Sequence, residues 1–203
     1  MIRPPERLPE RDAAIDAMLP NVPFDGWTVR ALRAGLTASG LPEDEATILF
    51  PGGAADMIAV FCDLADRRMA EAAATLTETR LIERVRAIIA SRLSMNRPYK
   101  EAIRRAVSVL TLPGNARAAA AITARTVDAI WHAAGDRSAD FSWYGKRALL
   151  TVVYGATLLF WLRDTSDDDA DTRAFLNRRL RGVGGLLRAR RRAGSLLGRL
   201  RPA

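Results

Sequence analysis

Residues 26–53 read GWTVRALRAGLTASGLPEDEATILFPGG, and this stretch decides the fold. The apolar residues that follow Thr28 keep helical spacing, so a helix is expected from Thr28 to about Ser39. Gly40 stops it, since glycine accepts the left-handed backbone that ends helices. Pro42 opens a short helix that closes at Phe50, and Pro51-Gly52-Gly53 turns the chain. Two short helices joined by a glycine turn therefore sit at the head of the chain.

The pattern outside this stretch is also helical. Upstream, a helix over Glu6 to Met18 is ended by Pro20 and Pro23. Downstream, Met57, Val60, Phe61, Leu64 and Met69 mark a long helix, and Leu81, Val85, Ile88 and Ile89 mark the inward face of the next. Another starts at Pro98 and stops near Pro113-Gly114, and one more runs to about Ala134. Ser138 to Trp143 opens a strongly apolar helix that reaches Leu162. Ser166, with Asp169 three residues on, is a capping-box pattern for a helix carrying Phe175, Leu176 and Leu180. No stretch alternates as a strand does and no repeat is visible, so the class is all-α.

The 203 residues are enough for one domain with a sizeable core. The expected division is an N-terminal helix and Pro-rich connection over 1–24, a helical domain over 25–182, and a tail over 183–203. The mixed-charge, proline-punctuated start is not expected to be a secretory signal. One cysteine, Cys62, excludes an internal disulfide and fits a reducing compartment. Leu149 to Leu162 spans fourteen residues, short of the roughly 20 that a membrane span needs. A buried helix is expected there.

The formal charge of +8 is unevenly placed. From Thr172 onward there are ten arginines and no acid, which leaves 21 basic against 23 acidic residues before it, a net of −2. The domain therefore lacks a basic nucleic-acid footprint. Residues 26–50 resemble the helix-turn-helix of TetR-type regulators. In that layout the second helix reads DNA with its N-terminal residues, but here that helix begins Pro42-Glu43-Asp44-Glu45. These acids suit a helix dipole and would repel a phosphate backbone. The resemblance implies the fold, and specific DNA binding is not expected.

Asp140-Phe141-Ser142-Trp143-Tyr144-Gly145-Lys146-Arg147 is followed by Tyr154, by Phe160 to Asp164, and by Asp171-Thr172-Arg173-Ala174-Phe175-Leu176-Asn177-Arg178-Arg179. Together with Leu49-Phe50-Pro51-Gly52-Gly53 and Asp66-Arg67-Arg68-Met69, this resembles the Coq nine family of ubiquinone-biosynthesis proteins over about residues 25–182. The resemblance implies a TetR-like bundle, often dimeric, with no catalysis attributed to the fold. It implies an apolar cavity for an isoprenoid or quinone-like lipid, and a surface that docks a ubiquinone-pathway hydroxylase. Trp143 and Tyr144 fall on that surface, with Asp140 and Arg147 beside them. Neighbouring helical residues point about 100° apart, so Trp143 and Tyr144 cannot both face one core. Trp131, Tyr154, Leu158 and Trp161 are the candidate pocket residues, with ordinary packing as the competing role.

Residues with catalytic or metal-binding chemistry are scarce. His132 is the only histidine, 70 positions from Cys62, and no zinc-ligand spacing exists. Asp167, Asp168, Asp169 and Asp171 lack the spacing and closing glutamate of an EF-hand. Gly182, Gly184 and Gly185 lack the Lys-Ser/Thr of a phosphate loop and read as a hinge. No metal and no cofactor other than the lipid is expected. Beyond the hinge, Leu186, Leu187, Leu196, Leu197 and Leu200 share one side of a helical wheel, opposite Arg188, Arg191 and Arg192. Such a helix fits an anionic, apolar surface, so reversible membrane contact is expected. The reading is a non-catalytic accessory protein, cytoplasmic and peripheral on the inner membrane in a bacterium, or on the matrix face in a mitochondrion. The alternative is a ligand-responsive TetR-type regulator.

Overall fold

The computed structural model describes residues 4–136 and 142–182, with side chains from 145 onward in the second segment. The described residues form helices and no strand. In chain order the α-helices are α1 (Pro9–Met18), α2 (Val22–Asp25), α3 (Val29–Ala38), α4 (Glu45–Leu49), α5 (Gly53–Ala73), α6 (Leu81–Met95), α7 (Lys100–Leu110), α8 (Ala116–Ala133), α9 (Ser142–Trp161) and α10 (170–182). The single-turn α2 lies where the sequence suggested only a proline connection, because Pro23 occupies a first-turn position that needs no N–H.

The opening stretch folds as its residues dictate. Thr28 is extended and its Oγ1 accepts from Ala31 N at 3.2 Å, which caps α3. Gly40, at φ +71°, ends it with a complete Schellman motif: Leu41 N donates to Leu36 O at 2.9 Å and Gly40 N to Thr37 O at 3.0 Å. Gly35 has a different task. A Cβ there would lie 2.7 Å from the backbone of Ala17 and Met18, so α3 rests directly on α1.

Two devices fix this head to the rest of the bundle. Trp27 is buried, donates from Nε1 to Ala102 O of α7 at 2.9 Å, and packs on Phe61 at 5.5 Å between centroids. From Arg7, just before α1, and along α1 itself, a row of ion pairs reaches α5: Arg7 to Asp63, Arg11 to Asp56, Asp12 to Arg67, and Asp16 to Arg68. The exposed members contribute little energy but hold the register.

The core runs between α5 and α8 and is closed by α6 and α9. Met57, Ile58, Met69, Ile88, Ile89 and Ile130 are fully buried in it. One ion pair lies inside: Arg92 of α6 with Asp66 of α5, at 2.7 Å. The apolar α9 buries Leu150, Val153, Tyr154, Thr157 and Trp161. Thr157 satisfies its hydroxyl by donating to Val153 O at 2.7 Å. Among the described residues, no helix is long and apolar enough to cross a membrane.

Candidate functional site

The corner between α8 and α9 carries the residues that the sequence singles out. Gly135, at φ +83°, ends α8, and Ser142 begins α9. Trp143 and Tyr144 lie in the first turn of α9, but their side chains, like Asp140, fall outside the described residues. Arg147, one turn on, is only 13% exposed and returns to α8: its Nε and Nη2 donate to Asp128 Oδ1 at 2.8 and 2.6 Å. It therefore braces the corner. Asp128 also lies 3.2 Å from His132 Nδ1.

Lys146 forms the second brace. Its Nζ lies 3.3 Å from Asp136 and 6.0 Å from the Trp131 ring centroid. Asp128, Asp136 and His132 were not anticipated as part of this corner, whereas Lys146 belongs to the run from Asp140 to Arg147 that the sequence singles out. The i,i+4 spacing of Asp128 and His132 was visible, but their pairing with α9 depends on the angle of the corner.

The four candidate pocket residues divide. Trp131 lines an apolar space with Val85, Leu149, Leu150, Val153 and Leu180, but its volume of about 20 Å³ admits only about one water. Tyr154 is buried, and the Arg92 guanidinium stands 5.7 Å from its ring. Burial pushes its hydroxyl up to about 12, against the opposing pull of Arg92. Trp161 is fully buried beneath Lys100, whose Nζ lies 5.0 Å from its ring. Leu158 packs half-buried at the edge of the core. Tyr154, Leu158 and Trp161 thus follow one face of α9, while Trp131 stands on α8.

A wider cleft of about 730 Å³ opens where α7, α9 and the start of α10 meet. Phe160 and Phe175 stack in it at 4.5 Å, beside Val107, Ala156 and Leu159. Sequence reading missed this cleft, because its walls come from three helices separated in the chain. Leu159 is 54% exposed there and Val152, further along α9, is 68% exposed. α9 is therefore apolar on its outer side as well as its inner one.

The α9–α10 turn is held by charge. Asp164 accepts from Ser166 N and Oγ and from Thr172 N and Oγ1, at 2.5 to 2.8 Å. Desolvation would raise this carboxyl, but the four donors outweigh it and hold it well below the usual carboxylate range. The expected capping box of Ser166 and Asp169 does not form. Asp169 instead turns inward to Arg97 at 2.8 Å, and the cap is shared: Ser166 Oγ accepts from Asp171 N at 3.0 Å and Asp164 from Thr172 N at 2.8 Å. Asp168 and Asp169 have positive φ, a conformation that acidic residues tolerate better than most. Lys100 and Arg104 of α7 donate to the carbonyls of Asp164 and Leu162, both at 2.6 Å. These carbonyls end α9, where cations are favoured.

Cys62 is partly buried and packed against the core, and desolvation pushes its thiol up to about 12. Such a thiol is a poor nucleophile at neutral pH. No cluster among the described residues could hold a metal ion. The predicted membrane-contact residues Leu186, Leu187, Arg188, Arg191, Arg192, Leu196, Leu197 and Leu200 lie outside the described residues.

A helix pair at the head, a long connecting helix and an apolar bundle behind it define a TetR-like class of fold. A solved structure of a TetR transcriptional regulator from Nitrosomonas europaea superposes with a TM-score of 0.67, covering 85% of this chain and 97% of that one at 24% identity. The COQ9 family model matches residues 116–186, the stretch that builds the α8–α9 corner and the braced turn. The mitochondrial ubiquinone biosynthesis protein COQ9 of Schizosaccharomyces pombe is 34% identical over 175 residues, which is 85% of this chain and 69% of that protein. Human COQ9 is 34% identical over 82% of this chain and 55% of its own length, and the Drosophila melanogaster protein 32% over 84% and 54%. The chain belongs to the COQ9 family. It spans little more than half the length of these animal relatives.

Proposed function

We propose that this protein serves ubiquinone biosynthesis without catalysing a step, by binding an isoprenoid quinone precursor at a membrane surface and presenting it to the pathway hydroxylase. The observation that carries the reading is family membership, with 34% identity to a relative named for ubiquinone biosynthesis across most of both chains. The residues agree with it. A thiol raised by burial is a poor nucleophile. The apolar outer face of α9 and the cleft beside it offer much for an apolar ligand.

The roles divide along the chain. Trp143 and Tyr144, with Asp140 and Arg147, form the docking surface for the hydroxylase. The lipid lies along the cleft of Leu159, Phe160 and Phe175, with Trp131, Tyr154, Leu158 and Trp161 packed in the core behind it, and the basic amphipathic tail makes the membrane contact. The membrane is the cytoplasmic side of the inner membrane in a bacterium and the matrix side in a mitochondrion. Specific DNA reading is not part of the function. Glu43 and Asp44 stand exposed at the head of α4, and Glu43 accepts from Thr37 Oγ1 at 2.7 Å.

The test is genetic. Cells deprived of this protein are expected to accumulate the unhydroxylated quinone precursor and to recover when the full chain is restored. Normal quinone levels without it would refute the reading.

A further inference from the structure

One face of α9 is left uncovered by the described residues. Val152 is 68% exposed and Leu159 54%, Gly145 and Ala148 are exposed in line with them, and Gly155 and Ala156 lie half-exposed between. These positions recur at steps of three and four, so they form one stripe along the helix. No charged residue occurs from Ala148 to Leu162. A Cβ added at Gly145 or Gly155 would meet nothing within 4 Å. Glycine is unfavourable inside a helix, and no described neighbour requires these two. The room they leave lets a second helix lie close.

The described chain ends beside this stripe. α10 runs back along α9: Phe175 near its start stacks on Phe160, and Leu180 near its end shares an apolar space with Leu149 and Leu150. Gly182-Val183-Gly184-Gly185 follows and suits a sharp turn. A turn there sends residues 186–200 along α9 in its own direction.

The two stretches share one spacing. Leu186, Ala189, Ala193, Leu196, Leu197 and Leu200 stand at the same steps as Gly145, Ala148, Val152, Gly155, Ala156 and Leu159. As helices both span about 21 Å. In this register large residues meet small ones: Leu186 falls on Gly145, Leu196 and Leu197 on Gly155 and Ala156, and Ala193 on Val152. Arg199 and Arg201 come beside the α9–α10 turn, where Asp167 and Asp171 are exposed. Asp171 lines the same cleft as Leu159.

We propose that residues 186–200 dock as a helix on this stripe and latch the α9 cleft, and that an anionic membrane releases them by competing for the same leucines. Ala156, Leu159 and Phe160 wall the cleft, so a helix on the stripe narrows its mouth. Membrane contact then opens the cleft where a lipid can enter it. That consequence rests on the reading of the cleft as the lipid site, and the docking itself does not.

The test follows trypsin cleavage after Arg188, Arg191 and Arg192 by intact mass, on the full chain without vesicles. Cleavage tracks the fraction of time that a segment is undocked. Val152→Gln with Gly155→Gln, neither in the cleft wall, is expected to speed it by about tenfold, the loss of one buried aliphatic contact. Asp167→Asn with Asp171→Asn, which leaves the stripe intact, should speed it less. Ile48→Gln, a comparably exposed apolar position on α4, should leave it unchanged. Both stripe positions have open space, so that variant should fold, and a cooperative thermal transition checks this. Its flotation with anionic vesicles should rise several-fold, because its tail no longer has to leave α9 first. Equal cleavage in the parent and the stripe variant overturns the latch. So does a stripe variant that floats less than the parent, which would make α9 itself the membrane contact. A parent that sediments as a dimer beside a monomeric stripe variant would give the face to a second copy and overturn it too. Flotation absent from every form would count against the membrane contact alone, since the cleavage assay contains no vesicles.

Discussion

Arg92 of α6 approaches one oxygen of Asp66 with two nitrogens, Nε at 2.9 Å and Nη2 at 2.7 Å, and both residues are buried. Thr126 of α8 donates to the other oxygen at 2.8 Å, and the guanidinium also faces Tyr154 of α9. Four helices thus meet at one polar point in an otherwise apolar core. Burial raises the Asp66 carboxyl, and Arg92 opposes that rise.

Removing one partner of such a pair is predicted to cost more than removing both. Asp66→Ala or Arg92→Met should each destabilise the protein by about 3–5 kcal/mol, because an uncompensated charge is left buried. The double variant Asp66→Leu with Arg92→Met should recover most of that loss. Urea denaturation of the three variants measures it, and additive losses in the double variant would show that the pair is not the source.

Gly35→Ala is predicted to destabilise by about 1–3 kcal/mol, the usual range for forcing atoms into a packed contact. The added methyl would meet backbone rather than a movable side chain. Chemical denaturation of the variant checks the value. A stability equal to the parent would mean that α3 can lift from α1 at no cost.

Asp164→Asn is predicted to loosen the α9–α10 turn in a pH-dependent way. The folded carboxyl lies below its ordinary value, so its stabilisation is present above the unfolded value near about 4 and is lost as pH falls through the folded one. The variant should be less stable than the parent by about 1 kcal/mol at neutral pH, allowing for partial exposure. The difference should close as the pH drops below about 4. Thermal midpoints between neutral and acid pH give the comparison, and a difference that persists into acid would exclude the linkage.

Much of the fold was legible because its signals are local. The Gly40 stop and the apolar spacing of α6 both lie within a few residues. The Ser166–Asp169 capping box failed for a non-local reason. Arg97, 72 residues upstream, draws Asp169 inward, and Asp164 joins Ser166 in the cap. The site was legible in composition and not in geometry. The spacing of Trp131, Tyr154 and Trp161 shows apolar helices, but which of them share a space depends on helix crossings that only the folded chain sets. Arg147 was read as part of a surface, and its ion pair with Asp128 shows that it also braces the corner.

The tail predicts a vesicle experiment. Without residues 184–203 the protein should no longer float with vesicles containing anionic lipid, yet should unfold as cooperatively as the parent. Leu196→Glu with Leu197→Glu should act in the same way with every arginine in place. Changing Arg188, Arg191 and Arg192 to glutamine should weaken flotation mainly on anionic vesicles, as high salt should. If the double glutamate variant floats as well as the parent, the tail is an electrostatic tether and its apolar side does not insert.

The central claim is that the protein carries a quinone precursor, and the bound lipid itself tests it most directly. Protein purified from its own host without detergent is extracted with organic solvent, and the extract is analysed by mass spectrometry beside an equal amount of a TetR-type regulator prepared identically. The account predicts a polyisoprenoid with an aromatic or quinone head in stoichiometric amount, absent from the control. An extract holding only the bulk phospholipids found in the control would contradict it.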